Sequence, residues 1–301
     1  MILLLALTSY NFTANKMIIL QTGSGRAVQL IGNVRVKATK ADISARYGMY
    51  YEVSGLSILH GDALVKGKDY TISSDTLRYI PEPEFLYLSG NAFLEDRYRT
   101  ISSHNIEVIG DSSVARGDVE IYIKDKDVII RGDTGYYNLE EKSGKLIGHP
   151  TAIINRTDTI TISSDTFFML KDTLWAVGQV NVVSKRATAT GDTLITFETG
   201  SKAGDTTGPK IERTVLAGGC RVQWNNGWAV SDTVEMISKD GVVQEMVFIS
   251  NATTYRKESS YALGLQGNRI RAIFKNDELA EIFVDQLSSG VYTGLKTQGE
   301  R

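Results

Sequence analysis

The chain has 301 residues, a formal net charge of −2, 42% hydrophobic and 23% charged residues. That balance excludes a disordered chain, which is poor in apolar residues and highly charged, and a dedicated nucleic-acid binder, which carries a basic excess or stripe. The single cysteine, Cys220, excludes an intrachain disulfide framework, and the low count of four prolines suits long paired strands, where each Pro would remove a ladder donor.

The N-terminal segment, 1–26, is distinct from the rest of the chain. Met1 to Leu7 reads Met-Ile-Leu-Leu-Leu-Ala-Leu and is followed by polar Thr8, Ser9, Tyr10 and Asn11. Seven apolar residues are too few to span a bilayer. They are similar to the apolar core of a secretory signal without its basic leader, or they form a first, buried strand. A signal remnant would place the protein in the periplasm or elsewhere in the cell envelope.

From Leu30 onward one unit recurs. Its anchors are Gly32, Gly61, Gly90, Gly117, Gly148 and Gly178, about thirty residues apart, the mark of an array whose units bury their apolar faces against neighbours. The first half of each unit alternates around the Gly, as in Leu59-His60-Gly61-Asp62-Ala63-Leu64-Val65. Counting by twos places Val34, Val36, Ala63, Val65, Ala92, Leu94, Val119, Ile121, Val180, Val182 and Val222 on one apolar face. Asn33, Arg35, Asp62, Asn91 and Asp118 fall on the other.

The second half carries Ile72-Ser73-Ser74-Asp75-Thr76-Leu77-Arg78-Tyr79, matched by Ile162-Ser163-Ser164-Asp165-Thr166-Phe167. His104 and Arg46 replace the Asp in two other copies. Apolar parity slips at the Asp, which predicts a bulge or bend in this second strand. Ile72, Leu77, Tyr79, Ile101, Ile162 and Phe167 join the apolar face. Gly200 to Pro209 is a polar interruption, read as a surface loop in preference to a hinge. The last units, Phe248 to Ala252, Leu265 to Phe274 and Leu279 to Val284, are degenerate copies. No stretch after residue 10 has a helical period, so the expected class is all-β, about two strands per unit.

These motifs resemble the OstA-like family of periplasmic lipopolysaccharide-transport proteins, which includes LptA, LptC and the N-terminal domain of LptD. The likeness rests on Gly32-Asn33-Val34-Arg35-Val36, its echo at Gly90-Asn91-Ala92, the run Ile72 to Tyr79, and the C-terminal Gly267 to Phe274 and Leu279 to Val284. It spans residues 27–301 apart from the last few, with the polar loop at 200–209 as a departure. The resemblance implies an elongated β-jellyroll of two facing antiparallel sheets with an apolar groove between them. It implies lipopolysaccharide or another acylated lipid as cargo, passage across the envelope in support of outer-membrane biogenesis, and docking to other jellyroll proteins or to itself head to tail through edge strands. No cofactor is implied.

The residues permit two readings of the apolar face. It lines a lipid groove, where each buried methylene contributes about 0.8 kcal/mol, or it fills the dry core of a structural scaffold serving envelope assembly or adhesion. Trp175, Trp224 and Trp228 either line or brace the groove or pack at core and edge. Catalysis is not expected. His60, His104 and His149 lie in different units, no metal-ligand spacing occurs, and the recurrent Asp75, Asp133, Asp165, Asp192 and Asp232 read as bend caps rather than a calcium ladder. Cys220 reads as a small buried side chain.

Overall fold

A computed structural model describes residues 11–23, 25–37, 41–80, 85–97, 99–124, 127–138, 141, 143–155, 159–170, 173–199, 211–239, 242–275 and 278–294. The apolar segment Met1 to Leu7 and the loop Gly200 to Pro209 lie outside these. The chain divides into two compact units, Met1–Gly148 and His149–Arg301.

The first unit holds β1 (Asn11–Thr13), β2 (Lys16–Thr22), β3 (Gly25–Lys37), β4 (Ala41–Tyr51), β5 (Ser57–Gly67), β6 (Tyr70–Ile80), β7 (Phe85–Asp96), β8 (Arg99–Ile109), β9 (Ser112–Ile123), β10 (Val128–Asn138) and β11 (Ser143–Ile147). The second holds β12 (Thr151–Ile154), β13 (Ile160–Ser163), β14 (Thr166–Leu170), β15 (Thr173–Val183), β16 (Ala187–Thr199), β17 (Ile211–Trp224), β18 (Gly227–Lys239), β19 (Val242–Lys257), β20 (Tyr261–Lys275) and β21 (Glu278–Gly294). The described residues contain no helix.

The protein is all-β and antiparallel. In the first unit β1 and β2 both pair with β3, and from β3 to β11 each strand pairs with the next. In the second, β12 pairs with β13, β13 and β14 both pair with β15, and from β15 to β21 the meander continues strand by strand. The repeat is thus two strands long, as β5–β6 and β7–β8 illustrate. Among the described connections, short polar turns join β5 to β6 and β15 to β16. At one, the Ser184 hydroxyl accepts the Ala187 N–H at 3.1 Å.

The mid-strand irregularity falls at the Asp as expected, with burial switching parity between Ser74 and Leu77 on β6, but the inserted residue is on the partner strand. The extra residue is on the first strand of each repeat, not at the Asp of the second. Between the pairs His60↔Thr76 and Ala63↔Ser74, β5 advances by three residues and β6 by two. The extra residue is absorbed by two successive left-handed residues, such as Gly61 (φ 75°) and Asp62 (φ 54°), or Gly90 (φ 72°) and Asn91 (φ 49°). The doubled Gly218-Gly219, which blurs the repeat in the sequence, fills these two positions (φ 91° and 60°). In β19 they are taken by Ser250 and Asn251 (φ 60° and 52°), so the repeat continues there without its glycine. Asn and Asp tolerate this region because their short polar side chains bond locally.

Alternation on either side of each bulge gives the strands between the terminal β2 and β21 one buried face. Leu88, Leu146, Ala176 and Ala229 on that face are fully buried, while Arg78, Asn91, Arg131 and Arg221 opposite are exposed.

Candidate functional site

The register assembles the predicted apolar residues into continuous cross-strand rows. In the first unit one row runs Val36, Ile43, Val65, Ile72, Leu94, Ile101, Ile121, Ile130, each residue directly opposite the next on consecutive strands β3 to β10. On the other side of the bulges a second row runs Leu30, Gly48, Leu59, Leu77, Leu88, Ile106, Ala115, Gly135, Leu146. Tyr79 lies just beyond it, opposite Leu86. The second unit repeats the plan. Ile162, Val182, Ala189, Val222 and Ala229 form one row, and Phe167, Ala176, Leu194, Leu216, Val234, Phe248, Ile270 the other.

Between the rows lies a waist of small side chains. Ala63 faces Ser74, Ala92 faces Ser103, Val119 faces Gly132, Val180 faces Gly191 and Cys220 faces Ser231. Val34 sits there opposite Ala45. The waist is where the halves of a strand converge. Val34 Cγ1 and Val119 Cγ1 each reach to 3.5 Å of where a Cβ on Gly48 or Gly135 would lie, across the bend from their own pairing partners.

Of the predicted face, Val36, Ile101 and Val182 are half-buried and the rest are buried, with Ala63 and Phe167 at 0% exposure. Trp175 and Trp228 do not line it: each adjoins a fully buried Ala, Ala176 or Ala229, and therefore points to the opposite face. Trp224, two residues from buried Val222, lies half-buried on the inner side.

At four of the bends a serine precedes the Asp or His and bonds locally to the backbone. Ser74, Ser103, Ser164 and Ser231 are buried, and each hydroxyl donates to the carbonyl two residues on, at 2.8, 2.9, 3.0 and 2.8 Å. These bonds satisfy the hydroxyls inside an apolar interior. Among the described residues no buried side-chain N or O atom lacks a partner.

On the exposed side of the bends a second ladder forms. Asp75 accepts from Asn91 Nδ2 at 3.1 Å and Asp232 from Asn251 Nδ2 at 2.8 Å. Where Arg46 replaces the Asp, the facing left-handed residue is Asp62, and the two form an ion pair. Where His104 replaces it, the partner is Asp118, with Nε2 3.3 Å from Oδ2. The exceptions in the repeat are thus compensated pairs. His60 is also exposed, with Nδ1 2.9 Å from Thr76 Oγ1.

Among the described residues no group of three or more His, Cys, Asp or Glu could hold a metal ion. Burial pushes the Cys220 thiol up to about 11, and the thiol donates to the Leu216 and Asp232 carbonyls at 3.1 and 3.4 Å. It is a neutral filler at ordinary pH. The Arg116 and Arg271 guanidiniums are raised above their ordinary values by hydrogen bonds to Glu107 and Glu245, which makes them fixed cations of the outer face.

No family model and no curated protein sequence matches the chain.

Proposed function

We propose that this chain is a non-catalytic carrier of lipopolysaccharide or a similar acylated lipid, with hydrocarbon tails running along the inner apolar rows. The reading takes the two halves of each bent strand as two facing sheets of a β-jellyroll and works in the periplasm or elsewhere in the cell envelope. Its main support is the aliphatic row from Val36 to Ile130, in which no position is polar over eight consecutive strands. Neighbours in such a row are spaced by about 4.8 Å, and each buried methylene contributes about 0.8 kcal/mol. A run of similar weak sites suits passage better than capture.

The terminal strands add to this. On β2, Met17 and Ile19 pair with buried Leu30 and Val28 yet are 53% and 62% exposed. On β21, Leu287 and Tyr292 pair with Gly267 and Leu263 and are 58% and 69% exposed. Inner-face apolar groups are therefore open at both ends of the strand order. Each of these strands has one paired neighbour among the described residues, which leaves an edge for another jellyroll protein or a second copy.

A structural scaffold with a dry interior is the second reading, favoured by the 0–1% exposure of Ala63, Leu77 and Phe167. Site-specific photo-crosslinking separates the two. With a crosslinker at Val36, Ala92 or Val180, the carrier labels lipopolysaccharide or a fatty-acid probe. Labelling confined to the outer positions Arg35 and Asn91 would sink the carrier and leave the scaffold.

A further inference from the structure

The inner face of the first unit carries a cation at its margin. Arg99 on β8 lies two residues from Ile101 and by strand alternation projects from the same face. Tyr137 on β10 lies two residues from Gly135 of the second row and projects from that face too. In register the two are far apart. Arg99 is opposite Ile123 and Tyr137 is opposite Ser113, at the two ends of β9, which an extended strand would hold roughly 30 Å apart. Yet the guanidinium carbon of Arg99 stands 4.2 Å from the centre of the Tyr137 ring. The strands fold back at their bulges, and this contact closes the interior where their ends meet.

The backbone N–H and Nε of Arg99 donate to Asp96 Oδ1 and Oδ2 at 2.9 and 3.3 Å, which holds the side chain in place. The Arg99 side chain is 24% exposed and Tyr137 is half-buried. Two residues further in, Ile121 and Ile130 on one side and Ile106 and Ala115 on the other are buried. A seal of this kind parts more readily than an aliphatic one. Released from the ring, the guanidinium is taken up by water while its stem stays on apolar surface. Parted aliphatic side chains would expose hydrocarbon instead.

We propose that Arg99 and Tyr137 are a gate in the side of the first unit, through which a hydrocarbon chain enters the inner rows. The proposal rests on the carrier reading and specifies where the interior opens. A tail passing between the two residues meets the aliphatic row at half-buried Ile101. The gate closes both the empty and the loaded chain, so weakening it speeds entry and exit alike and leaves affinity unchanged.

The test is stopped-flow uptake and release of cis-parinaric acid, whose fluorescence rises in apolar surroundings, by the full chain. Saturable uptake by the unsubstituted chain is expected. Tyr137→Ala and Arg99→Ala are each expected to raise both rates about fivefold or more, the scale of one cation–π contact, with the dissociation constant held within about twofold. The double substitution is expected to add nothing further. Tyr137→Phe keeps the ring face and is expected to match the unsubstituted chain. Melting temperatures identify the folded variants. Unchanged rates in a folded Tyr137→Ala or Arg99→Ala variant, with uptake by the unsubstituted chain intact, would overturn the gate and leave the carrier reading standing. Weaker binding without faster exchange would overturn it too, since the pair would then line the tail site. No saturable uptake by any of these chains would overturn both.

Discussion

The carboxylate of Asp75 occupies the space into which a side chain on Gly90 would project. The same relation joins Asp133 to Gly148, Asp165 to Gly178 and Asp192 to Gly218, and His104 and Asn15 take the Asp role over Gly117 and Gly32. The repeat glycine is thus doubly required, by its left-handed backbone and by the side chain lying over it.

Gly90→Ala is accordingly expected to destabilise the fold by about 2–3 kcal/mol, of which the left-handed conformation accounts for about 1–2. Urea unfolding measures it. In the Asp75→Gly background the carboxylate and the Cβ, which would itself stand 2.9 Å from the new one, are both gone, so the Gly90 substitution is expected to cost only the backbone share. An equal cost in both backgrounds would show that the overlying carboxylate is irrelevant.

The buried serine at the bend gives a second test. Ser74→Ala removes the 2.8 Å bond from the buried hydroxyl to the Thr76 carbonyl. The expected loss is about 1–2 kcal/mol. Thr71, half-buried on the same strand, is a suitable control for which Ala substitution is expected to cost less.

The compensated pairs make a third. Arg46→Asp sets a carboxylate against Asp62 and is expected to destabilise by about 0.5–1 kcal/mol at low salt, shrinking as salt rises. Adding Asp62→Asn rebuilds the arrangement found at Asp75 and Asn91 and is expected to recover that loss. Additive effects of the two substitutions would mean that the pair is not coupled.

Cys220 predicts a pH dependence. Its thiol ordinarily ionises near 9.0 and is pushed up by burial to about 11 in the folded chain. Above pH 9 the unfolded thiol loses its proton while the folded one keeps it, so folding stability falls as pH rises between these values. The full effect is roughly 2–3 kcal/mol, and Cys220→Ala is expected to flatten that segment of the stability profile. Alkylation of the native chain at pH 8 should be far slower than after unfolding.

Much of this is legible in one sequence because strand periodicity is local. Val65, Ile72, Leu94 and Ile121 announce the inner face by spacing alone, and the register then places them in one row. The bend is legible as a parity slip at the Asp, which β6 shows between Ser74 and Leu77, but the strand that carries the inserted residue is not legible. The Asp is the conspicuous residue, but the inserted one is on the neighbouring strand, and only pairing reveals which strand advances further. Trp175 and Trp228 are ambiguous in the sequence because aromatic residues fit either side of a sheet; their position next to Ala176 and Ala229 settles the side.

By itself the amino-acid sequence determined the all-β class, the two-strand repeat and the identity of the buried face, since each depends on spacing along the chain. Only the tertiary structure decided which residue answers which across strands. That Arg46 meets Asp62 and that Asp75 overlies Gly90 are facts of register, and register is fixed by the summed packing and hydrogen bonding of whole strands rather than by any local run of residues.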